Sequence, residues 1–366
     1  MITAKEQITP AQFMFLIIQT QIGVSVLFLP SKVEAIAGND AWISVLLAGA
    51  AAMLIIVIMW ALSRRFPTMN LFEYLPLLLG KFVGKSVHVV YIIMFTLECS
   101  LILVQFADVV RDWIFPSTPT WVILFLMLVT SLYMIRENIR LIARFFVLTF
   151  VLIFILLLIA AYAYQDADIL YILPFNQAGF SNIASGMLHS MNSLYGFEII
   201  LFCYPYIKGK SGEILKASAF ANIFSTFVYT FMVFTCLIVF SPEELKVIPQ
   251  PVLYMVKALS FTVFERADLY FLTIWTIVVI STVMAYLFMS AKAASTLFGK
   301  KSHSGTAPFV AILILCISLL PYNPEMINWL QKIVLVLISV SLIAFPIILL
   351  CISYLLKIKG KEQAKG

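Results

Sequence analysis

The chain has 366 residues, 63% of them hydrophobic and 11% charged, with a formal net charge of +6 and a mean hydropathy of +1.04. Such values lie far outside the range of water-soluble domains and leave no room for a large soluble domain. The positive charge is no nucleic-acid signal, because the basic residues are scattered over short loops between apolar runs.

The first apolar run, Phe13 to Leu29, follows Lys5 and Glu6 and lacks a small-residue cleavage site, so it reads as a retained span. Stretches of roughly 20 apolar residues predict about ten transmembrane helices. They fall near 10–36, 41–63, 84–114, 119–135, 141–164, 183–207, 213–240, 267–298, 306–321 and 327–356. Between the second and third, Asn70 to Lys81 follows Arg64-Arg65-Phe66-Pro67 as a short amphipathic stretch, expected along the inner interface. The longer segment Ser241 to Arg266 carries Glu243, Glu244, Lys246, Pro249, Pro251 and Glu265. It is expected to be an outer loop with one or two interfacial helices, able to act as a lid or contact a partner. Cys99, Cys203, Cys236, Cys316 and Cys351 lie in different apolar runs without disulfide or metal spacing, and are expected to be reduced packing residues.

With the N-terminus inside, 18 of the 24 Lys and Arg residues fall on the inner side, including Arg64, Arg65, Arg136, Arg140, Arg144 and Lys300. Lys32, Arg111, Lys246, Lys257, Arg266 and Lys332 fall outside. That bias supports ten spans with both ends cytoplasmic. Without linkers or 20-to-50-residue repeats, residues 1–366 read as one transmembrane domain, with halves at about 8–164 and 180–356 and a tail over about 357–366.

Two spans are interrupted alike: Thr20-Gln21-Ile22-Gly23-Val24-Ser25 leads to Pro30, and Ser193-Leu194-Tyr195-Gly196-Phe197-Glu198 leads to Pro205. In a bilayer such breaks are tolerated only where the freed backbone faces protein or a water-filled cavity, so they point to a binding site near the midplane. Each opens one set of five spans, and an odd number per set makes the sets antiparallel: an all-α, five-plus-five inverted repeat with helices one and six broken. The alternative is coincidence, since Gly and Pro are frequent in membrane helices.

Glu98, about 14 residues into the third span, and Glu198, beside the second break, are both expected near the midplane. A carboxylate there costs about 2.5 to 3.5 kcal/mol on insertion scales, so it should face the interior. No Lys or Arg is predicted at comparable depth, which leaves a proton, a cation or a ligand's ammonium as partner. Removal from water favours the neutral acid, making either residue a candidate proton carrier. The alternative is a neutral glutamic acid bonded to backbone freed by the break. Amides around Gly23, Val24 and Ser25 suit a carboxylate, and carbonyls near Tyr195 and Glu198 an ammonium, so an amino acid zwitterion matches both breaks. A sugar would use the same groups through hydroxyls. Gln21 and Gly196 belong to the same breaks, and Tyr195 and Phe197 are candidate walls or gates, or simply packing.

Weaker candidates remain. Asp108 and Arg111, three apart, suggest a local ion pair. His189 lies about two turns before the second break and is either a titrating group or a lumen-facing one. His88 and His303 sit near the inner boundary. Scattered histidines, no acidic cluster, no nucleotide loop and no G-x-S-x-G elbow exclude metalloenzyme, pump and hydrolase chemistry and imply no cofactor.

The ordered set of segments resembles the spore germination permeases, the B-type membrane subunits of nutrient germinant receptors within the amino acid, polyamine and organocation transporter superfamily. It comprises Ile8-Thr9-Pro10-Ala11-Gln12, Gly23 through Leu29-Pro30, Leu79-Gly80-Lys81-Phe82-Val83-Gly84-Lys85, Tyr195-Gly196-Phe197-Glu198 through Pro205, and Phe264-Glu265-Arg266-Ala267-Asp268-Leu269 ahead of Trp275. The chain departs from the pattern at Ser25, where the family often has a second glycine. The resemblance implies a LeuT-like ten-helix fold in a bacterial cell membrane or inner spore membrane, sensing a nutrient with an A-type membrane subunit and a C-type lipoprotein subunit. In such folds the stretch equivalent to Ser281-Thr282 and Tyr286 lies against the first break. Those hydroxyls would complete a sodium-like or ligand site, or bond their own helix. Two functions fit: a receptor subunit, or a proton- or cation-coupled amino acid transporter. An intramembrane enzyme has no visible nucleophile and base.

Overall fold

A computed structural model describes residues 6–174, 177–259, 266–300, 302–320 and 323–360. Lys5, Phe264, Glu265 and the last six residues of the tail, singled out above, lie outside the described residues.

Helix α1, Pro10–Gln21, starts at a reciprocal cap: the Thr9 side chain accepts from Gln12 N–H (3.2 Å) and the Gln12 side chain accepts from Thr9 N–H (3.0 Å). It ends at extended Ile22, and after a 3-10 turn over Val24–Leu27 the chain resumes as α2, Leu29–Ala37. Gly38, at φ +49°, turns the chain through a second 3-10 turn into α3, Ala41–Arg65. Asn70 and Glu73 form a second capping box for α4, Leu71–Leu79, and Gly80 at φ +78° redirects the chain into α5, Lys81–Trp113. Then come α6, Thr120–Ile135, and α7, Ile139–Tyr162, capped by Asn138.

The second half opens with α8, Gly179–Met191, and dissolves into 3-10 turns over Asn192–Leu194 and Phe197–Ile199. It continues as the single turn α9, Ile200–Cys203, and a 3-10 turn at Tyr204–Tyr206. Helix α10, Ser211–Val239, follows, then the short α11, Pro242–Val247, and α12, Pro251–Ala258. The long α13, Ala267–Leu297, precedes α14, Ala307–Ser318, and α15, Pro324–Ser339. A π-helical segment, Val340–Ala344, joins α15 to α16, Phe345–Leu355. Pro346 has no N–H to return to the carbonyl four residues back, which favours a widened turn before it.

Among the described residues, six helical stretches are long and apolar enough to cross a membrane: Leu29–Arg65, Lys81–Trp113, Ile139–Asp166, Ser211–Val239, Ala267–Leu297 and Glu325–Leu355. The protein is an all-α, multi-pass membrane protein. Leu54, Leu148, Leu158 and Phe309 stand exposed on its outside, as lipid permits. Helix α1 packs against α7, α10 and α13, and α13 runs along α5. The two halves also meet below α1, where Ile8 N–H donates to Tyr206 O and Lys208 N–H to Ile8 O, each at 2.9 Å.

Two expectations gain detail. The Asn70–Lys81 stretch packs one face on the core, where Phe72 stacks on His88 at 4.1 Å and a Cβ on Gly84 would come within 2.8 Å of the Pro76 backbone, while Leu77 and Lys81 stay exposed. All five cysteines are free, but Cys316 and Cys351 are exposed on outward helix faces; only Cys99, Cys203 and Cys236 pack inside.

Candidate ligand site at the two breaks

The breaks touch. A Cβ on Gly196 would lie 2.8 Å from Gln21 N and Thr20 C, so the second break presses bare backbone against the end of α1. Gly196 also has φ +125°, a region open mainly to glycine. Gln21 bridges the same gap, its Nε2 donating to Leu194 O at 2.6 Å. At the first break the carbonyls freed by the end of α1 take side-chain donors. Thr282 Oγ1 donates to Gln19 O (3.0 Å) and Ile22 O (3.2 Å), and the Tyr229 hydroxyl to Gln21 O (2.8 Å). Gly23 is needed because a Cβ there would meet Thr282 Oγ1 at 2.7 Å.

The two acids separate in role. Glu198 is buried at 1% exposure and its Oε2 accepts from Gly196 N–H at 2.6 Å, with the Tyr286 hydroxyl also bonded to it. It caps the break that creates its own donor. Glu98 is only half-buried and lines a cavity of about 120 Å³. Four walls line that space. The first break and α2 contribute Ser25, Phe28, Leu29 and Lys32; α5 contributes Glu98, Leu101 and Gln105. The approach to the second break adds His189, Asn192, Ser193 and Tyr195, and α15 adds Gln331, Val334, Leu335 and Ile338. Asn192 Oδ1 is buried there with no hydrogen-bond partner.

Of the residues singled out in the sequence, the cavity gathers Ser25, Glu98, Tyr195 and His189. Gln21, Gly23, Val24, Gly196, Phe197, Glu198, Ser281, Thr282 and Tyr286 form the packed layer of the breaks and do not line it. Ser281 bonds weakly to its own helix at Ile277 O (3.4 Å). Sequence reasoning placed Lys32 on the outer side only, whereas the structure has this exposed residue also lining the cavity, its Nζ 5.6 Å from the Phe28 ring. The signal was present: Ser25, Phe28, Leu29 and Lys32 stand at i, i+3, i+4 and i+7, one helical stripe. Glu98, Leu101 and Gln105 on α5, and Gln331, Val334, Leu335 and Ile338 on α15, repeat it.

Other polar groups singled out in the sequence bond within the protein. Asp108 and Arg111 pair at 3.4 Å on an exposed face, and Arg266 grips Asp268 with two bonds of 2.9 and 2.7 Å at the start of α13. His88 Nε2 contacts Ala293 O at 2.8 Å. Burial holds the His303 imidazole below its ordinary value, with its Nε2 2.6 Å from Ile135 O. No group of three or more metal-ligating side chains occurs among the described residues.

Comparison with known proteins decides the family. A profile described as "Spore germination protein" matches residues 7–327. The chain belongs to this family. Spore germination protein GerQB of Bacillus cereus is 28% identical, the match covering 89% of either chain. Spore germination protein YndE of Bacillus subtilis (strain 168) is 27% identical over 96% of this chain and 98% of its own length. Spore germination protein KB of the same strain is 25% identical over 99% and 98%. Spore germination proteins of this kind are transporter-like membrane proteins and not a family of enzymes. In agreement, the crystal structure of MhsT in complex with L-phenylalanine superposes with a TM-score of 0.69, covering 96% of this chain and 99% of MhsT. At 13% identity that likeness carries the transporter fold alone.

Proposed function

We propose that the chain is the nutrient-sensing membrane subunit of a spore germinant receptor, and that it binds a small amino acid beside its two broken helices. The observation that carries this reading is the contact of Gly196 with the Thr20–Gln21 backbone next to a polar cavity holding both a carboxylate and an ammonium. A cavity of about 120 Å³ is well below the roughly 300–1,000 Å³ of sites for drug-sized ligands, which favours a small nutrient. Ser25, Tyr195 and Glu98 would touch the ligand directly. Gln21, Gly23, Val24, Gly196, Phe197, Glu198, Ser281, Thr282 and Tyr286 would shape the breaks behind it.

On this reading the ten predicted spans form two antiparallel sets of five, both termini are cytoplasmic, and the membrane is the inner spore membrane. Partner subunits of the A-type membrane and C-type lipoprotein classes receive the signal. The nutrient acts by favouring one of two conformations, and only a difference in affinity between them can shift the balance. A coupled transporter is the second reading, favoured by the half-buried Glu98, which alone of the two acids lines the cavity.

The experiment is binding and uptake of a labelled amino acid and sugar panel by the purified chain in proteoliposomes, with and without an inward proton gradient. Binding of a panel member without accumulation is expected. Saturable, gradient-driven accumulation would replace the receptor by the transporter.

A further inference from the structure

Every side chain around the cavity is neutral or weakly titrating except two. Lys32 stands on α2, Glu98 on α5, and they belong to different walls of the same space. Neither takes part in an ion pair among the described residues. Opposite charges that share a small cavity without touching leave a gap that a molecule carrying both signs can close. Resting on the amino acid reading above, we infer that Lys32 and Glu98 are the two ends of a zwitterion-specific site, Lys32 taking the ligand's carboxylate and Glu98 its ammonium.

The surroundings sort in the same way. Asn192 lines the same space from the approach to the second break. Leu101, Val334, Leu335 and Ile338 supply an apolar patch for a short aliphatic side chain. A sugar closes neither charge, so the pair selects against neutral nutrients as well as for zwitterions. Several backbone groups of the breaks are engaged within the protein: Gly196 N–H is held by Glu198, Leu194 O by Gln21, and Gln19 O and Ile22 O by Thr282.

The test uses the full chain in lipid nanodiscs with labelled alanine, competed by alaninamide, which lacks the carboxylate, and by lactate, which lacks the ammonium. Wild type should prefer alanine over each competitor by about tenfold or more, the worth of one hydrogen-bonded charge. Lys32→Met should erase the preference over alaninamide and keep that over lactate; Glu98→Gln should do the reverse; Lys32→Arg should restore the first. Preferences unchanged in both variants, with alanine still bound, overturn the inference and leave the amino acid reading standing. Failure of wild type to bind glycine, alanine, serine or phenylalanine removes both. Should a variant fail to insert, wild type alone decides, because equal binding of alanine, alaninamide and lactate overturns the two-ended site.

Discussion

The two breaks do the same topological job by different physics. At the first, glycine is required by a neighbour: its φ of −147° is open to any residue, but the Thr282 side chain occupies the place of a Cβ. At the second, glycine is required by its own backbone at φ +125° and by the backbone of Thr20 and Gln21. The stitching differs as well. Side chains from α10 and α13 satisfy the first break, whereas Glu198, from within the second, satisfies that one. The first break is thus adjustable by trimming a side chain, and the second is not, because the two nearest atoms around it are backbone.

Substitution tests that contrast directly. Gly196→Ala should be the most damaging, at about 3 kcal/mol, since it adds left-handed strain to a backbone clash; Thr282→Ala should give no relief. Gly23→Ala should cost about 1–3 kcal/mol by overpacking, and Thr282→Ala should recover part of that, giving a coupling energy in a double-mutant cycle. Thermal unfolding in one detergent measures all of these, and equal rescue of both glycines would erase the distinction. The smallest effects belong to the Glu198 cap. Glu198→Gln keeps an acceptor for Gly196 N–H and should lose about 1 kcal/mol or less, whereas Glu198→Leu orphans that donor and should lose about 1–3 kcal/mol. Equal losses would mean that charge, and not capping, is what Glu198 contributes.

Much of this was legible in the residues. Apolar length located the helices to within a few residues, as with α6 at Thr120–Ile135 against an expected 119–135. Gly23 and Gly196, each followed by a proline within the same apolar run, marked both breaks. Lys32, two residues past Pro30, reads from the charge bias as an outer-side residue, and its place beside the cavity showed only in its spacing from Ser25, Phe28 and Leu29. The position of α4 was equally hidden, since an amphipathic stretch looks the same whether its apolar face meets lipid or Phe202. The division of labour between Glu98 and Glu198 depended on Gly196 N–H pointing at one carboxylate, which spacing alone does not reveal.

The wide turn at Val340–Ala344 sets the phase of the cavity's last wall. The Tyr91 hydroxyl donates to Ser341 O and holds that turn from α5. One residue of an α-helix subtends about 100°, so removing the surplus residue that a π-turn accommodates would roll α15 by about that angle relative to α16. Gln331, Val334, Leu335 and Ile338 would then face away from Glu98, with helix, sequence and hydrophobicity otherwise intact. Which side chains meet a ligand on that wall is decided by a single count along the chain, made outside the cavity.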